Sequence, residues 1–217
     1  MQDALLGRKN GSIFIVYKVN RSVDMRRGQV RIIGGQWRGR KLTIPDEAGV
    51  RPTPDRVRET LFNWLAALIP GAVCLDLFAG SGALGLEALS RGAAFVVFVD
   101  QSFSVTQRLK AQLEIFKTTD AQVLQAKLPQ QWPPFPKVFD IVFLDPPYHD
   151  KLLLSACFTL EEKGLLADPA YLYLESGEVL QEKQLPPNWT ILKHQKAGQV
   201  EYYLVKRRGA SDVKASD

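Results

Sequence analysis

The chain has 217 residues, of which 46% are hydrophobic and 24% are charged, and this size and composition suit one α/β domain with a sizeable core. No apolar run approaches the roughly 20 residues that span a membrane, and no stretch has the features of a signal peptide. The two cysteines and two histidines are too few for a disulfide framework or a zinc site, so we expect a metal-free protein of the reducing cytoplasm.

The positive charge is concentrated towards the N-terminus. The net charge is +5, but residues 1–60 carry 13 lysines and arginines against 6 acidic residues, whereas the rest of the chain carries 15 against 17. A charge run is most often solvated surface. A basic segment ahead of a folded domain can also bind a nucleic-acid backbone through its phosphates.

The pattern divides the chain into four parts. Residues 1–24 predict a disordered extension with one transient strand at residues 13–17. Residues 25–50 predict a small basic N-terminal arm, residues 51–208 the folded domain and residues 209–217 a disordered tail. The sequence contains no internal repeats.

The sequence of the arm predicts a β-hairpin. Apolar residues recur there at every second position, as in a strand with one buried face. These residues are Val30, Ile32, Leu42 and Ile44. Arginines between them alternate with glycines and an aromatic residue, which favours RNA binding over plain solvated surface. The candidate RNA contacts of the arm are Arg38, Arg40 and Lys41.

A helix is predicted directly after the arm. Thr53 is a favourable N-cap and Pro54 a favourable first helical residue. The apolar residues at helical spacing, which should form the buried face, are Val57, Leu61, Trp64, Leu65 and Leu68. Three arginines are expected off that face, where they would contact RNA or close over a cofactor: Arg51, Arg56 and Arg58.

The chain is organised around a strand, a glycine-rich turn and a helix. Residues 73–78 form a short apolar run, interrupted only by Asp76, that is typical of a central strand buried on both faces. Gly80 and Gly82 let the backbone turn sharply and approach a ligand closely. The helix that follows directs its free N–H groups at the turn. This arrangement indicates a cofactor cradle.

Two cofactors are compatible with this cradle. The spacing Gly80-x-Gly82-x-x-Gly85 matches the dinucleotide fingerprint, and Asp100 ends the next apolar run 20 positions after Gly80. A carboxylate there can accept hydrogen bonds from the ribose hydroxyls of NAD or of S-adenosylmethionine. S-adenosylmethionine is favoured because Asp76 can face the ammonium of its methionine moiety, and because the chain later carries a motif with no role in hydride transfer.

That motif, Asp145-Pro146-Pro147-Tyr148, suits the methylation of an amine. An exocyclic amine of a nucleobase is a poor nucleophile because its lone pair is delocalised into the ring. Hydrogen bonds from the amine to the Asp145 carboxylate and the Pro146 carbonyl would localise that lone pair. The prolines stiffen the loop and lack N–H donors, and Tyr148 offers a face for stacking an extruded base, worth about 1–3 kcal/mol. These four residues are the candidate catalytic set.

The remaining pattern alternates strands and helices. Further helices are expected at residues 104–116 and 151–163, and further strands at residues 122–126, 139–144, 171–176, 189–194 and 200–206. The predicted fold class is a doubly wound α/β sheet of five parallel strands with a terminal antiparallel hairpin. Ligands of such sheets bind beyond the carboxyl ends of the strands, which is where Gly80, Asp100 and Asp145 fall.

Several stretches resemble one known family. They are residues 30–35, 38–42, 51–63, 75–92 and 145–148. In them the chain is similar to the bacterial small-subunit ribosomal RNA guanine-N2 methyltransferase family (methyltransferase D, which acts on 16S RNA). The resemblance covers residues 25–208, so Met25 becomes an alternative start of translation. It implies a Rossmann-like class I S-adenosylmethionine-dependent fold with a seven-stranded sheet, and a guanine N2 target in 16S RNA of the small ribosomal subunit.

The resemblance also implies further cofactor contacts. Besides Asp76, Gly80, Gly82 and Asp100, the candidate cofactor-binding residues are Phe78, Gln101, Lys127 and Leu128. Members of the family place a carboxylate or amide after the third strand, where it binds the adenine amino group. Lys127 stands at that position and can only donate, so Gln125 or a main-chain carbonyl near Leu128 is the expected substitute.

Three other functions stay open. A DNA adenine-N6 methyltransferase would share the chemistry, but typically has Asn in place of Asp145 and an extra target-recognition domain. A protein-glutamine methyltransferase uses a related loop but leaves the basic arm unexplained. A non-catalytic RNA-binding or ribosome-assembly factor is favoured only by Lys127. We therefore expect a monomeric enzyme that methylates small-subunit ribosomal RNA and needs neither metal nor membrane.

Overall fold

The computed structural model describes residues 30–42, 54–147 and 152–209, and the backbone of two strands near the N-terminus. Those strands, β1 (Ala4–Lys9) and β2 (Ser12–Tyr17), pair in antiparallel fashion. The strand expected at residues 13–17 thus has a partner that the sequence pattern did not indicate. The disorder expected for the rest of the extension and for residues 210–217 concerns positions outside the described residues.

The arm forms a short hairpin between β3 (Val30–Arg31) and β4 (Lys41–Leu42). Val30 and Leu42 are register partners in this hairpin, and both are buried together with Ile32. The period-two pattern therefore marks the face that packs on the domain.

A seven-stranded sheet forms the centre of the fold. Its strands are β5 (Val73–Asp76), β6 (Phe95–Asp100), β7 (Ala121–Gln125), β8 (Phe139–Leu144), β9 (Leu166–Ser176), β10 (Trp189–Ala197) and β11 (Val200–Arg207). Their spatial order is β10-β11-β9-β8-β5-β6-β7. Neighbours from β9 to β7 are parallel, whereas β11 is antiparallel to both β9 and β10. The mostly parallel sheet with a terminal antiparallel hairpin is confirmed.

In the described residues, four α-helices flank this sheet. They are α1 (Asp55–Trp64), α2 (Ala83–Ser90), α3 (Phe103–Phe116) and α4 (Leu152–Glu162). The first three share one apolar core with one face of the sheet, and α4 contributes to a second core on the other face. None of these helices has the length and apolar character needed to cross a membrane.

Helices α2 and α3 run from the carboxyl ends of the strands to their amino ends, which form two opposite edges of the sheet. The Gly71 N–H, just ahead of β5, donates to the Gly92 carbonyl at 2.8 Å, just after α2. The C-terminal end of α2 therefore lies at the amino ends of the strands. Helix α3 runs in the same direction, because it connects the end of β6 with the start of β7. Its 14 residues cover about 20 Å at 1.5 Å per residue.

Helix α1 differs from the expectation in two ways. It begins at Asp55 with Pro54 as the N-cap residue, so Pro54 is not its first helical residue. Its buried residues are Val57, Arg58, Leu61 and Phe62. Arg58 thus lies on the buried face, since it precedes Leu61 and Phe62 by three and four positions and shares their side of the helix.

Candidate active site

The glycine-rich turn joins β5 to α2 at the carboxyl edge of the sheet. Gly80 and Gly82 have left-handed φ values of +50° and +73°, which a residue with a Cβ adopts only under strain. A Cβ on Gly82 would also overlap the Leu109 side chain of α3. Gly82 is the N-cap residue of α2, so the free N–H groups of the helix begin at the turn. The expected turn is present.

The Asp100 carboxylate stabilises this turn. Its Oδ2 accepts a hydrogen bond from the Gly80 N–H at 2.9 Å, and its Oδ1 accepts one from the Ser102 N–H at 2.8 Å. Asp100 is half-buried at the end of β6, the strand beside β5. The residue expected to bind ribose hydroxyls therefore lies directly against the glycine turn.

Asp76 lies beneath the first turn of α2. It is 3% exposed, and its Oδ2 accepts a hydrogen bond from the Gly85 N–H at 2.9 Å. Burial raises the pKa of this carboxyl to about 7; the hydrogen bond from Gly85 lowers it, and the negative charge of Asp100 raises it further. A cation beside Asp76 would favour its ionised form.

The residues expected around adenine follow β6 and β7. Asp100 and Gln125 are register partners on these strands, and Gln125 Nε2 donates to the Gln101 carbonyl at 3.2 Å. Leu128 is buried, whereas Lys127 and Gln101 are exposed. These residues border the same edge of the sheet as the Asp100 carboxylate.

The Asp145 loop follows β8, which lies beside β5. Phe143 is the register partner of Asp76, and the Leu77 N–H donates to the Phe143 carbonyl at 3.2 Å, so the chain leaves β5 and β8 side by side, with Phe78 in the turn after β5 and Asp145 directly after β8. Both side chains are half-buried. Pro146 is buried and Pro147 is exposed. The loop thus begins beside the segment that leads into the glycine-rich turn. Two other candidates, Tyr148 and Arg51, lie outside the described residues.

The donor and acceptor set at this edge fits S-adenosylmethionine. The turn leaves close access to its backbone, Asp100 can accept from ribose hydroxyls, and Asp76 can pair with an ammonium. Strand β5 lies between β6 and β8, where the strand order reverses, and this switch point is where open α/β sheets bind ligands. Among the described residues, no three His, Cys, Asp or Glu side chains cluster so as to hold a metal ion.

The predicted RNA contacts have different environments. Arg38, Arg40, Lys41 and Arg56 are exposed, as is Arg31 in the same arm. The arm turn lies at the amino edge of the sheet, because the Gln36 N–H donates to the Ser90 carbonyl at 2.8 Å. The Arg40 guanidinium is 4.9 Å from the centre of the Phe116 ring, at the same edge.

The RNA contact predicted for Arg58 is wrong. Its side chain has 0% exposure, so it cannot reach a phosphate. Its Nη2 donates to the Arg31 carbonyl at 3.0 Å and to Asp55 Oδ1 at 2.6 Å. Arg58 instead connects α1 to the arm. Glu87, which lies near it, also escaped the sequence reasoning, although a charged residue within the apolar helix α2 was a signal of buried partners.

Comparisons with known proteins agree with this arrangement. The family model described as conserved hypothetical protein 95 matches residues 30–206. The chain is 49% identical to ribosomal RNA small subunit methyltransferase D of Escherichia coli (strain K12), over 86% of this chain and 95% of that protein. It is 45% identical to the Haemophilus influenzae protein of the same name, over 82% and 94%. The solved Escherichia coli structure named "Putative methyltransferase yhhF" is 49% identical with a TM-score of 0.76, over 84% of this chain and 99% of that one.

Proposed function

Because this chain belongs to the conserved hypothetical protein 95 family, we propose that it transfers a methyl group from S-adenosylmethionine to the exocyclic N2 amine of a guanine in 16S RNA of the small ribosomal subunit. The substrate class is taken from the names of its relatives. The guanine N2 position is taken from the family resemblance of the sequence, and the Asp145 motif supports it only in that it suits the methylation of an amine. One observation carries the proposal: the glycine turn and the Asp145 loop follow the neighbouring strands β5 and β8.

The cofactor end of the site acts by binding and orientation. S-adenosylmethionine would supply an electrophilic methyl group on a sulfonium. Asp100 would accept hydrogen bonds from the ribose hydroxyls, and Asp76 would face the ammonium, while Gly80 and Gly82 allow close approach of the backbone. Phe78, Gln101, Lys127 and Leu128 would border the rest of the ligand.

The Asp145 loop would prepare the amine. The Asp145 carboxylate and the Pro146 carbonyl would accept hydrogen bonds from the two N–H groups, which localises the lone pair on nitrogen. Displacement then requires the amine and the sulfonium to be held in line, and such positioning supplies much of the rate. Pro147 would stiffen the loop, and Tyr148 would stack on the guanine.

The RNA must bring its target base out of a helix. A stacked and paired guanine cannot reach a pocket at the edge of the sheet, so the base must be unpaired or flipped. Arg38, Arg40, Lys41 and Arg56 are exposed and would contact phosphates. Arg51 would add to them.

The decisive experiment compares Asp145 variants in a methyl-transfer assay on small-subunit particles. We expect Asp145→Ala to lower the transfer rate at least about 100-fold, as removal of a preorganised polar group from a reacting centre does, with cofactor affinity nearly unchanged by calorimetry. Asp145→Asn keeps the shape of the side chain but removes its charge. Comparison with Asp145→Ala therefore separates the effect of the charge from that of the side-chain volume.

Three outcomes test the target position, the role of Asp145 and the non-catalytic alternative. Mass spectrometry of the product nucleosides must find the new methyl on guanine N2. Unchanged turnover in Asp145→Ala would remove Asp145 from the mechanism. A wild-type protein that binds the particle but transfers no methyl group would indicate the non-catalytic RNA-binding role.

A further inference from the structure

Glu87 lies in α2, a helix in which all eight residues are buried. The Glu87 side chain has 0% exposure, and a buried carboxylate is costly unless it is paired and hydrogen-bonded. Its partners come from the arm: Oε2 accepts from the Ile33 N–H and Oε1 from the Gly34 N–H, each at 2.7 Å. One carboxylate therefore holds two successive backbone groups of the arm.

Two arginines compensate the charge of Glu87. Arg91 Nε donates to Oε1 at 2.7 Å, and Arg58 Nη1 lies 3.8 Å from Oε2. Within the described residues, Arg58 Nε and Nη1 have no hydrogen-bond acceptor, so Arg58 acts on Glu87 through its charge. Its remaining group, Nη2, binds the arm at the Arg31 carbonyl. Both members of this buried pair thus hold the arm backbone.

Ser90 extends the attachment towards the C-terminal end of α2. Its Oγ donates to the Gly34 carbonyl at 2.6 Å and accepts from the Trp37 N–H at 2.9 Å. Trp37 is buried and packs on Phe116, with ring centroids 4.5 Å apart. The strands of the arm are only two residues long each. The position of the arm therefore depends on α2 more than on its own hydrogen bonds.

We propose that Glu87 is a positioning residue for RNA binding, which fixes the arm on α2 so that Arg38 and Arg40 form a preordered basic surface. The inference rests on the proposed function, because that function assigns the arm to RNA. Side chains that are already ordered in the free protein lose less conformational entropy when they bind a partner. A released arm would consequently bind RNA more weakly although every basic side chain is still present.

Glu87→Gln tests this inference because a charge effect and a positioning effect predict opposite changes in RNA affinity. Removal of a negative charge alone would strengthen RNA binding, whereas release of the arm weakens it. We expect the RNA affinity to fall about tenfold, the effect of one buried group left unsatisfied, with S-adenosylmethionine affinity unchanged. The control Glu114→Gln removes the same charge from an exposed position on α3 and should not weaken RNA binding.

A double-mutant cycle separates positioning from a general loss of stability. If Glu87 acts through the arm, replacing Arg38 and Arg40 by alanine costs less RNA affinity in the Glu87→Gln background than in the wild type. Ser90→Ala enters the same cycle in place of Glu87→Gln if the latter does not fold, since it removes only the bonds to Gly34 and Trp37.

Two results would overturn the inference. One is an equal loss from the arginine replacements in both backgrounds; the other is a Glu87→Gln protein that binds RNA as tightly as the wild type. If the arginine replacements have no effect in the wild type, the assignment of the arm to RNA fails, and the inference fails with it. Methyl transfer by the wild-type protein would still support the proposed enzyme in that case.

Discussion

The acid–base behaviour of Asp76 follows from its burial beneath α2. Its pKa is raised to about 7 because the ionised carboxylate is poorly solvated there, so near pH 6 the group is largely protonated. The ordinary value is 3.8, which the group regains on unfolding. Since the pKa is higher in the folded state, this carboxyl stabilises the fold most at low pH, and the contribution is lost as the pH rises from about 4 through about 7.

Binding of S-adenosylmethionine should therefore release a proton from Asp76 below neutral pH. An ammonium beside the carboxyl favours the ionised form, so we expect the release of most of one proton at about pH 6 and of much less at about pH 8. Calorimetric titration in buffers of different ionisation enthalpy counts the released protons. Asp76→Asn keeps an acceptor for Gly85 and should abolish the release. Equal release by both proteins would show that Asp76 does not meet the ammonium.

The residues of the candidate site differ in how far the sequence could predict their positions. The positions of Asp76, Asp100 and Asp145 at or directly after strand ends were predictable because those strands are recognisable apolar runs, and Gly80 because it lies in the turn that follows β5. The burial of Arg58 was also encoded, since it shares a helical face with Leu61 and Phe62. Its proximity to the buried carboxylate of Glu87 was not, because Glu87 meets Arg58 only when α1 and α2 pack together.

At the scale of elements, hydrophobic periodicity predicted the bounds of helices α3 and α4 better than those of strand β9. The bounds of α3 and α4 lie within one residue of the expected ones, because their apolar spacing continues to both ends. Strand β9 begins at Leu166 rather than at residue 171. Its early part contains Asp168 and Pro169, which are rare in strands, and its pairing with β8 shifts register there.

The contact between the arm and α2 leaves no space for a methyl group at Gly35. Gly35 and Gly39 have φ values of +74° and +81°, so alanine at either costs roughly 1–2 kcal/mol of backbone strain. A Cβ on Gly35 would also overlap the Ser90 carbonyl, whereas no atom lies within 4 Å of one on Gly39. Gly35→Ala should therefore weaken RNA binding and Gly39→Ala should not.

Thermal unfolding and RNA titration of both variants check this expectation. The strain common to the two positions should lower the unfolding temperature of each variant, and the overlap should lower that of Gly35→Ala further. Equal RNA affinities would mean that RNA binding does not depend on how closely the arm approaches α2.

At the scale of the whole molecule, the cofactor cradle and the arm turn lie at opposite edges of the sheet. The grouping of the cradle residues was predictable, because parallel strands end at the same edge of the sheet and the motif residues follow those strand ends. The place of the arm was not predictable. No periodicity or spacing indicates that Gly35 meets Ser90 or that Arg40 lies over Phe116.

If the arm binds RNA as proposed, the length of α3 sets a minimum size for a good substrate. The Arg40 guanidinium over Phe116 is about 20 Å from the carboxyl ends of the strands, where the proposed site lies, and an RNA fragment that bears only the target guanine cannot span that distance. On a graded series of RNA fragments, replacing Arg38 and Arg40 by alanine should make no difference when no nucleotide flanks the target, and should raise the KM when about twelve nucleotides flank it. A difference that persists on the shortest fragment would mean that these arginines act beside the reacting base. A difference that begins at an intermediate length would measure how much RNA the enzyme must span before it holds the target firmly.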